Sequence, residues 1–141
     1  MKILKIGTDK RRIGDLGEKA AVRYLRRRGF RILERNYVAD GNEIDVIASD
    51  RSHVLFVEVK TRRVGSESPM EPRPACAVTP EKQRKIMRVA SYYKAYHPMD
   101  KKMRMDIIEV YVEGEKGKEK VKKINHMEGA YDKSSYAVYR R

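Results

Sequence analysis

The sequence predicts an α/β domain in which a mixed central sheet is flanked by helices. Apolar residues recur at helical spacing in two segments and form five shorter strand-like runs, in the order α-β-β-β-α-β-β. The chain has 141 residues, of which 40% are hydrophobic, and this is enough for one core. We found no internal repeat and no domain boundary. We therefore predict one domain over 1–141, with its core at about 11–127 and a tail at 128–141.

Local signals set the bounds of each element. The first helix is expected over 12–28, where Gly29 ends it. The second is expected to have Thr79 as its N-cap and to end near Tyr96, after a proline-rich loop over 62–78. Strands are expected at 30–37, 43–49, 54–61, 103–112 and 121–127, the last of these at a sheet edge.

The charge balance indicates a polyanionic partner. Lys and Arg number 33 against 20 Asp and Glu, a net charge of +13. Nucleic acid is the first candidate and an anionic membrane surface is the second, while simple solubility is the alternative explanation. Six cations on the first helix, the loop and the second helix are candidate nucleic-acid contacts: Arg11, Arg12, Lys19, Arg62, Arg63 and Lys82.

Location can also be predicted from the sequence. No apolar run is long enough to cross a bilayer, and no secretory signal is visible. Cys76 is the only cysteine, so an internal disulfide is impossible. We expect a cytoplasmic protein that does not enter a membrane.

The hairpin of the second and third strands carries the most informative pattern. A turn centred on Arg51-Ser52 places Asp45 opposite Glu58. One face of the hairpin is then entirely apolar, with Ile44, Val46, Ala48, Leu55, Val57 and Val59. Directly opposed carboxylates repel each other, and a divalent cation such as Mg²⁺ or Mn²⁺ is the simplest reason to keep them.

Lys60, on the same face as Glu58, could then orient a metal-bound water. This equipment suits hydrolysis of a phosphodiester. The alternative is a structural salt-bridge cluster of Asp45, Glu58 and Lys60, and the residues alone leave both open.

Two further residues are candidates for the same site. Glu18 borders the apolar stripe of the first helix, and Gly14 and Gly17 beside it allow a close approach to the sheet. Glu18 is either a third acid of the site or a partner of a neighbouring arginine. Gln83, on the inner face of the second helix, contacts either the site or only the core.

Tyr92, Tyr93 and Tyr96 lie together on the second helix. Packing in the core or at the helix rim is the first interpretation, and stacking with bases is the second.

A family resemblance rests on several motifs together. They are Gly14-x-x-Gly-Glu18, Gly29-Phe30, Arg35-Asn36-Tyr37, Glu43-Ile-Asp45, Phe56-Val-Glu-Val-Lys60-Thr-Arg62 and Ala77-Val-Thr-Pro-x-Lys82-Gln-Arg84. In order and spacing they resemble the YraN-like family of small bacterial proteins, over about residues 11–110. That family is similar to the PD-(D/E)xK nuclease superfamily and to archaeal Holliday-junction resolvases. Asn42 and Met105 depart from the usual pattern.

The resemblance implies a restriction-endonuclease-like αβββαβ core. It implies that Asp45 and Glu58 are metal ligands, that Lys60 is the catalytic lysine and that Glu18 is the helix acid. The expected function is a Mg²⁺- or Mn²⁺-dependent DNA endonuclease, acting on branched or structured DNA and dimeric by analogy with resolvases. The alternatives are a non-catalytic nucleic-acid-binding protein and an assembly protein for an acidic partner.

Overall fold

The structure, a computed structural model, describes residues 2–65 and 78–132, with side chains from residue 9 onward. The predicted order of elements is confirmed. The elements are α1 (Lys2–Arg27), β1 (Arg31–Ala39), β2 (Asn42–Ser49), β3 (His53–Arg63), α2 (Pro80–Tyr96), β4 (Lys102–Glu113) and β5 (Lys120–Tyr131).

The five strands form one mixed sheet in the order β1-β2-β3-β4-β5. Neighbouring strands are antiparallel except β3 and β4, which are parallel because the chain passes through α2 between them. The buried residues of α1 pack on one face of the sheet and those of α2 pack on the other. This arrangement confirms the predicted fold class, an α/β protein with a restriction-endonuclease-like core.

Helix α1 fits closely against β3. Its Ala21 and Leu25 are fully buried among sheet residues, as the predicted apolar stripe requires. A Cβ atom added at Gly17 would overlap the side chain of Thr61, so only glycine fits there. Gly14 has no such neighbour, so the expectation of a close approach is confirmed at Gly17 and wrong at Gly14.

Both helix boundaries that depend on local punctuation are confirmed. Gly29 has a φ of 91° and ends α1, and the N–H of Phe30 donates to the carbonyl of Leu25 at 3.0 Å. The Thr79 hydroxyl accepts the N–H of Lys82 at the start of α2.

Regular structure extends past both ends of the predicted core. Helix α1 begins at Lys2 instead of residue 12, and an ion pair of 2.6 Å joins its Asp9 to Lys116. Strand β5 continues to Tyr131, which is buried, so the first part of the expected tail belongs to the sheet. The apolar stripe of the first helix did not indicate the extension of α1 to Lys2, and the ion pair of Asp9 with Lys116 stabilises the extended part.

Strand β3 includes Arg62 and Arg63, which were expected in the loop. Residues 66–77 and 133–141, including Cys76, lie outside the described residues.

Candidate functional site

The predicted register of the β2–β3 hairpin is confirmed from Ser49–Val54 to Val46–Val57. Pairing between the two strands ends there, so the predicted pairing of Asp45 directly opposite Glu58 is not part of the ladder. Instead of a backbone carbonyl, the Asp45 carboxylate accepts the N–H of Val59, at 2.8 Å. The two strands therefore separate at Asp45 and leave a notch in the sheet, which we call the acidic notch.

An irregularity in β1 and β2 lies beside the acidic notch. Ile44 packs with the α2-side cluster and Val46 with the α1-side cluster, although alternation would place both on one face. The prediction that Ile44 shares the apolar face of Val46 is therefore wrong. On β1, Asn36 lies between residues paired with Ile44 and Val46 and has a φ of 53°, a conformation that distorts a regular ladder.

Asp45 and Glu58 line two cavities, one on each side of the sheet. The cavity on the α2 side measures about 510 Å³ and also includes Lys82 and Lys85. The cavity on the α1 side measures about 480 Å³ and includes Lys60. The acidic notch is thus accessible from both faces of the sheet. Regularly paired strands would close such an opening.

The environment of Asp45 disfavours its ionised form. Burial raises its pKa from 3.8 to about 7, and the negative charge of Glu58 adds to this effect. The hydrogen bond from Val59 acts in the opposite direction, and the charges of Glu18 and Glu43 raise the pKa further. A cation at this place would relieve the repulsion.

Glu58 is buried and contacts two lysines. Its Oε1 atom lies 3.2 Å from the Nζ of Lys82 and 3.6 Å from the Nζ of Lys60. Lys82 comes from α2 and Lys60 from β3. Both interpretations left open by the sequence therefore find support here, since Glu58 lies near another acid and also forms ion pairs.

Glu18 lies at the rim of the acidic notch. Its Oε1 atom accepts a hydrogen bond of 2.8 Å from the amide of Asn36, and the same amide donates to Glu43 at 2.9 Å. Of the two alternatives for Glu18, pairing with a neighbouring arginine is not seen among the described residues, where its partner is this asparagine. Glu43 and Asn36 were not predicted as site residues, although both lie in the motifs that carried the family resemblance.

Gln83 is not among the residues that line either cavity. It is buried within α2, and its amide donates to the carbonyl of Val78 at 2.9 Å. Its Oε1 atom has no hydrogen-bond partner among the described residues. Its contacts favour the alternative in which it supports the core at the start of α2.

Four of the six predicted nucleic-acid contacts are engaged by carboxylates of the chain itself. Glu119 accepts hydrogen bonds of 2.6 Å from both Arg12 and Arg63. Arg62 donates to Glu109 at 3.1 Å, and Lys82 contacts Glu58 as described above. Arg11 and Lys19 are exposed on α1.

The residues present suit a small, hard cation. Within 9–65 and 78–132, no group of three or more His, Cys, Asp or Glu side chains is arranged to hold a metal ion. Mg²⁺ needs only one or two carboxylates, because water and phosphate complete its coordination. Asp45 and Glu58 fit that requirement.

A second polar cluster joins β4 to β5 away from the acidic notch. Asp106 is fully buried and accepts hydrogen bonds from Arg104 at 2.8 and 2.9 Å. It is also paired with His126 at 2.7 Å, and the other ring nitrogen of His126 contacts Tyr24. Through Tyr24 and His126 the cluster ties α1 to the far edge of the sheet.

These features define a small α/β protein with a restriction-endonuclease-like core and a notched sheet that holds adjacent carboxylates. The chain belongs to uncharacterised protein family UPF0102, whose family model matches residues 17–110. This confirms the YraN-like resemblance at the level of the family.

Relatives in several bacteria match most of the chain. A UPF0102 protein of Chlorobium phaeobacteroides is 46% identical over 99 residues, which cover 70% of this chain and 75% of that protein. One from Caldanaerobacter subterraneus is 40% identical over 130 residues, 87% of this chain and 97% of that protein. One from Alkaliphilus oremlandii is 41% identical over 124 residues, 86% and 98%.

None of the helices in the described part of the chain combines the length and apolar character that a membrane crossing requires.

Proposed function

We propose that this protein is a cytoplasmic DNA endonuclease of the PD-(D/E)xK type, dependent on Mg²⁺ or Mn²⁺, that cleaves branched or otherwise structured DNA. One observation supports this above the others. Two strands separate so that Asp45 and Glu58 line one open cavity with Lys60, and this grouping of two acids and a lysine suits phosphodiester hydrolysis.

Each residue has a distinct role in this proposal. Asp45 and Glu58 hold the cation, which when bound lowers the pKa of its water and stabilises charge on the phosphate. The hydrogen bond from Val59 fixes the Asp45 carboxylate. Lys60 orients the attacking water and stabilises the negative charge that develops on phosphorus oxygens. Glu18 holds the rim of the acidic notch through Asn36.

The direct test is cleavage of a four-way junction, a flap and plain duplex DNA in Mg²⁺ and in Mn²⁺. Wild type is compared with Glu58→Gln, which keeps the shape of the side chain and removes its charge. We expect wild type alone to cleave. Equal cleavage by both would refute the site assignment, and salt-sensitive binding without any cleavage would refute the activity.

Contacts to DNA can be separated from structural ion pairs by their salt dependence. We propose that Arg11 and Lys19 contact phosphates, whereas Arg12 is retained by Glu119. Each lost phosphate contact lowers the slope of log K against log salt by about 0.9 on duplex DNA. Arg11→Gln/Lys19→Gln should therefore lower the slope by about two, and Arg12→Gln, the control, should leave it unchanged.

A non-catalytic nucleic-acid-binding protein is the second candidate function. It is favoured by the contact between Lys82 and Glu58, which places an ammonium at 3.2 Å from a proposed metal ligand. Metal-independent binding of DNA that Glu58→Gln leaves intact, with no cleavage, would support this candidate. A dimer, which would suit a substrate of two strands, can be tested by sedimentation with and without a junction.

A further inference from the structure

Two cavities lie in succession along α2, and the first of them is at the acidic notch. The α2-side cavity at the notch ends at Gly41 and Lys85. A neighbouring cavity of about 460 Å³ begins at Asp40 and Arg88, which are the preceding residue of the turn and the next turn of the helix. The two cavities follow each other between α2 and the β1–β2 turn, with the ion pair of Asp40 and Arg88 at the second one, and we call them together the α2 trough.

The far end of the α2 trough carries two exposed tyrosines. Tyr92 and Tyr96 are 52% and 67% exposed, and their ring centroids lie 4.8 Å apart. Tyr93, between them in sequence, is buried and packs against Tyr37 and Phe56. The first interpretation of these tyrosines was packing in the core or at the helix rim, and packing in the core is confirmed for Tyr93. The other two present a continuous aromatic surface to solvent.

Cations line the approach to this aromatic surface. Helix α2 contains five basic residues and one acidic residue. Lys82, Lys85 and Arg88 follow one another at intervals of three along α2 and lead towards Tyr92. From Lys82 to Tyr96 the helix rises by about 21 Å, the length of about six stacked nucleotides at ~3.4 Å each.

The ion pairs of Lys85 and Arg88 are weak, and their partners can be exchanged. Arg88 lies 3.6 Å from Asp40, and Lys85 lies 3.4 Å from Glu81. All four side chains are about half exposed or more, and exposed pairs of this kind contribute little to stability. A phosphate group can therefore replace either carboxylate.

We propose that the α2 trough binds an unpaired DNA strand that leaves the acidic notch, with Lys85 and Arg88 on its phosphates and Tyr92 and Tyr96 stacked on its bases. This rests on the nucleic-acid partner of the proposed function and defines its substrate as DNA with a single-stranded arm. An apolar protein partner would bury the cations of the trough at a cost. A strand satisfies both surfaces, because bases stack on aromatic rings and phosphates pair with cations.

The test compares Tyr92→Ala/Tyr96→Ala with Tyr92→Phe/Tyr96→Phe, which retains both rings. Binding of a labelled oligothymidine strand and of a hairpin duplex is measured by fluorescence anisotropy in EDTA, so that no DNA is cleaved. We expect the alanine variant to bind the strand about tenfold more weakly or worse, to bind the duplex with little change, and the phenylalanine variant to match wild type. Circular dichroism melting checks that both variants are folded.

Three results would overturn this inference. The first is unchanged strand binding by the alanine variant, and the second is an equal loss of affinity for strand and duplex. The third is a dimeric wild type and a monomeric alanine variant that bind the strand with the same affinity. The last result would assign the tyrosines to contact with a second copy of the chain.

Failure of the inference can be told apart from failure of the proposed function. If wild type cleaves any of the DNA substrates and the tyrosines do not affect strand binding, only the inference fails. If strand binding depends on the tyrosines and wild type cleaves none of the DNA substrates, the inference stands and the nuclease activity fails.

Discussion

Replacing Asp45 by asparagine should stabilise the metal-free protein above neutral pH. In the folded protein, burial and the charge of Glu58 raise the pKa of Asp45 from 3.8 to about 7. Each pH unit of this difference corresponds to about 1.36 kcal/mol, so ionised Asp45 costs at most about 4 kcal/mol of folding free energy. Its side chain is partly exposed, and hydration should reduce the cost to about 2 kcal/mol.

The sign follows from proton binding. Between pH 3.8 and about 7 the folded state holds a proton on Asp45 that the unfolded state releases, so this contribution to stability falls as pH rises through that range. Asparagine does not titrate, and its amide oxygen can still accept the N–H of Val59. The variant should therefore match wild type near about pH 4 and exceed it by about 2 kcal/mol near about pH 8, or about 6 °C in Tm.

Urea unfolding in EDTA at both pH values measures the difference. Saturating Mg²⁺ should reverse it, because wild type gains about 2.7 kcal/mol at a metal concentration of about 100 Kd and the variant gains little. Asp50→Asn is the control, and it should destabilise the protein at neutral pH, because hydrogen bonds from Ser52 and His53 lower the pKa of Asp50 and so favour its ionised form. A variant equally destabilised at both pH values would refute the reasoning about Asp45.

Three further substitutions test the packing of the fold, two of them on α1 and one on β4. Gly17→Ala should destabilise the protein by about 1–3 kcal/mol, because the new methyl group overlaps Thr61. Gly14→Ala should stabilise it by about 0.5–1 kcal/mol, because its methyl group meets no atom within 4 Å. Equal Tm shifts in the two variants would contradict this packing. Asp106→Asn should cost about 3 kcal/mol near neutral pH, since it removes the buried charge that pairs with Arg104 and leaves Arg104 only its longer contact of 3.7 Å with the exposed Glu128. Burial opposes ionisation of Asp106, but its hydrogen bonds hold its pKa below 3.8. In urea unfolding, the destabilisation caused by Asp106→Asn should therefore shrink as the pH falls below that value. A destabilisation independent of pH would refute the ion-pair explanation.

Elements specified by local signals could be predicted from the sequence. Helix α2 begins at Pro80, directly after its Thr79 cap, and ends at Tyr96 as expected. The β2–β3 register follows from a turn centred on Arg51-Ser52. Such signals act between residues close in sequence, and tertiary contacts do not override them here.

The features that the sequence missed depend on distant contacts or on backbone irregularity. Arg12 was expected to contact phosphate, but its partner Glu119 lies 107 positions away in the sequence. The change of face at Ile44 accompanies a positive φ at Asn36, on the neighbouring strand. Alternation along β2 alone cannot indicate this change of face.

The hydrogen bond from Val59 to Asp45 has a consequence for how this protein can change over evolution. A carboxylate that replaces a backbone acceptor takes its position from the strand and not from a freely rotating side chain, so whatever it binds is located by the sheet itself. If Asp45 holds the proposed cation, local folding and ligand placement depend on the same carboxylate. Among the other residues, asparagine alone keeps a similarly placed oxygen. Asparagine is therefore the substitution at this position that can remove the charge and still keep the hydrogen bond from Val59.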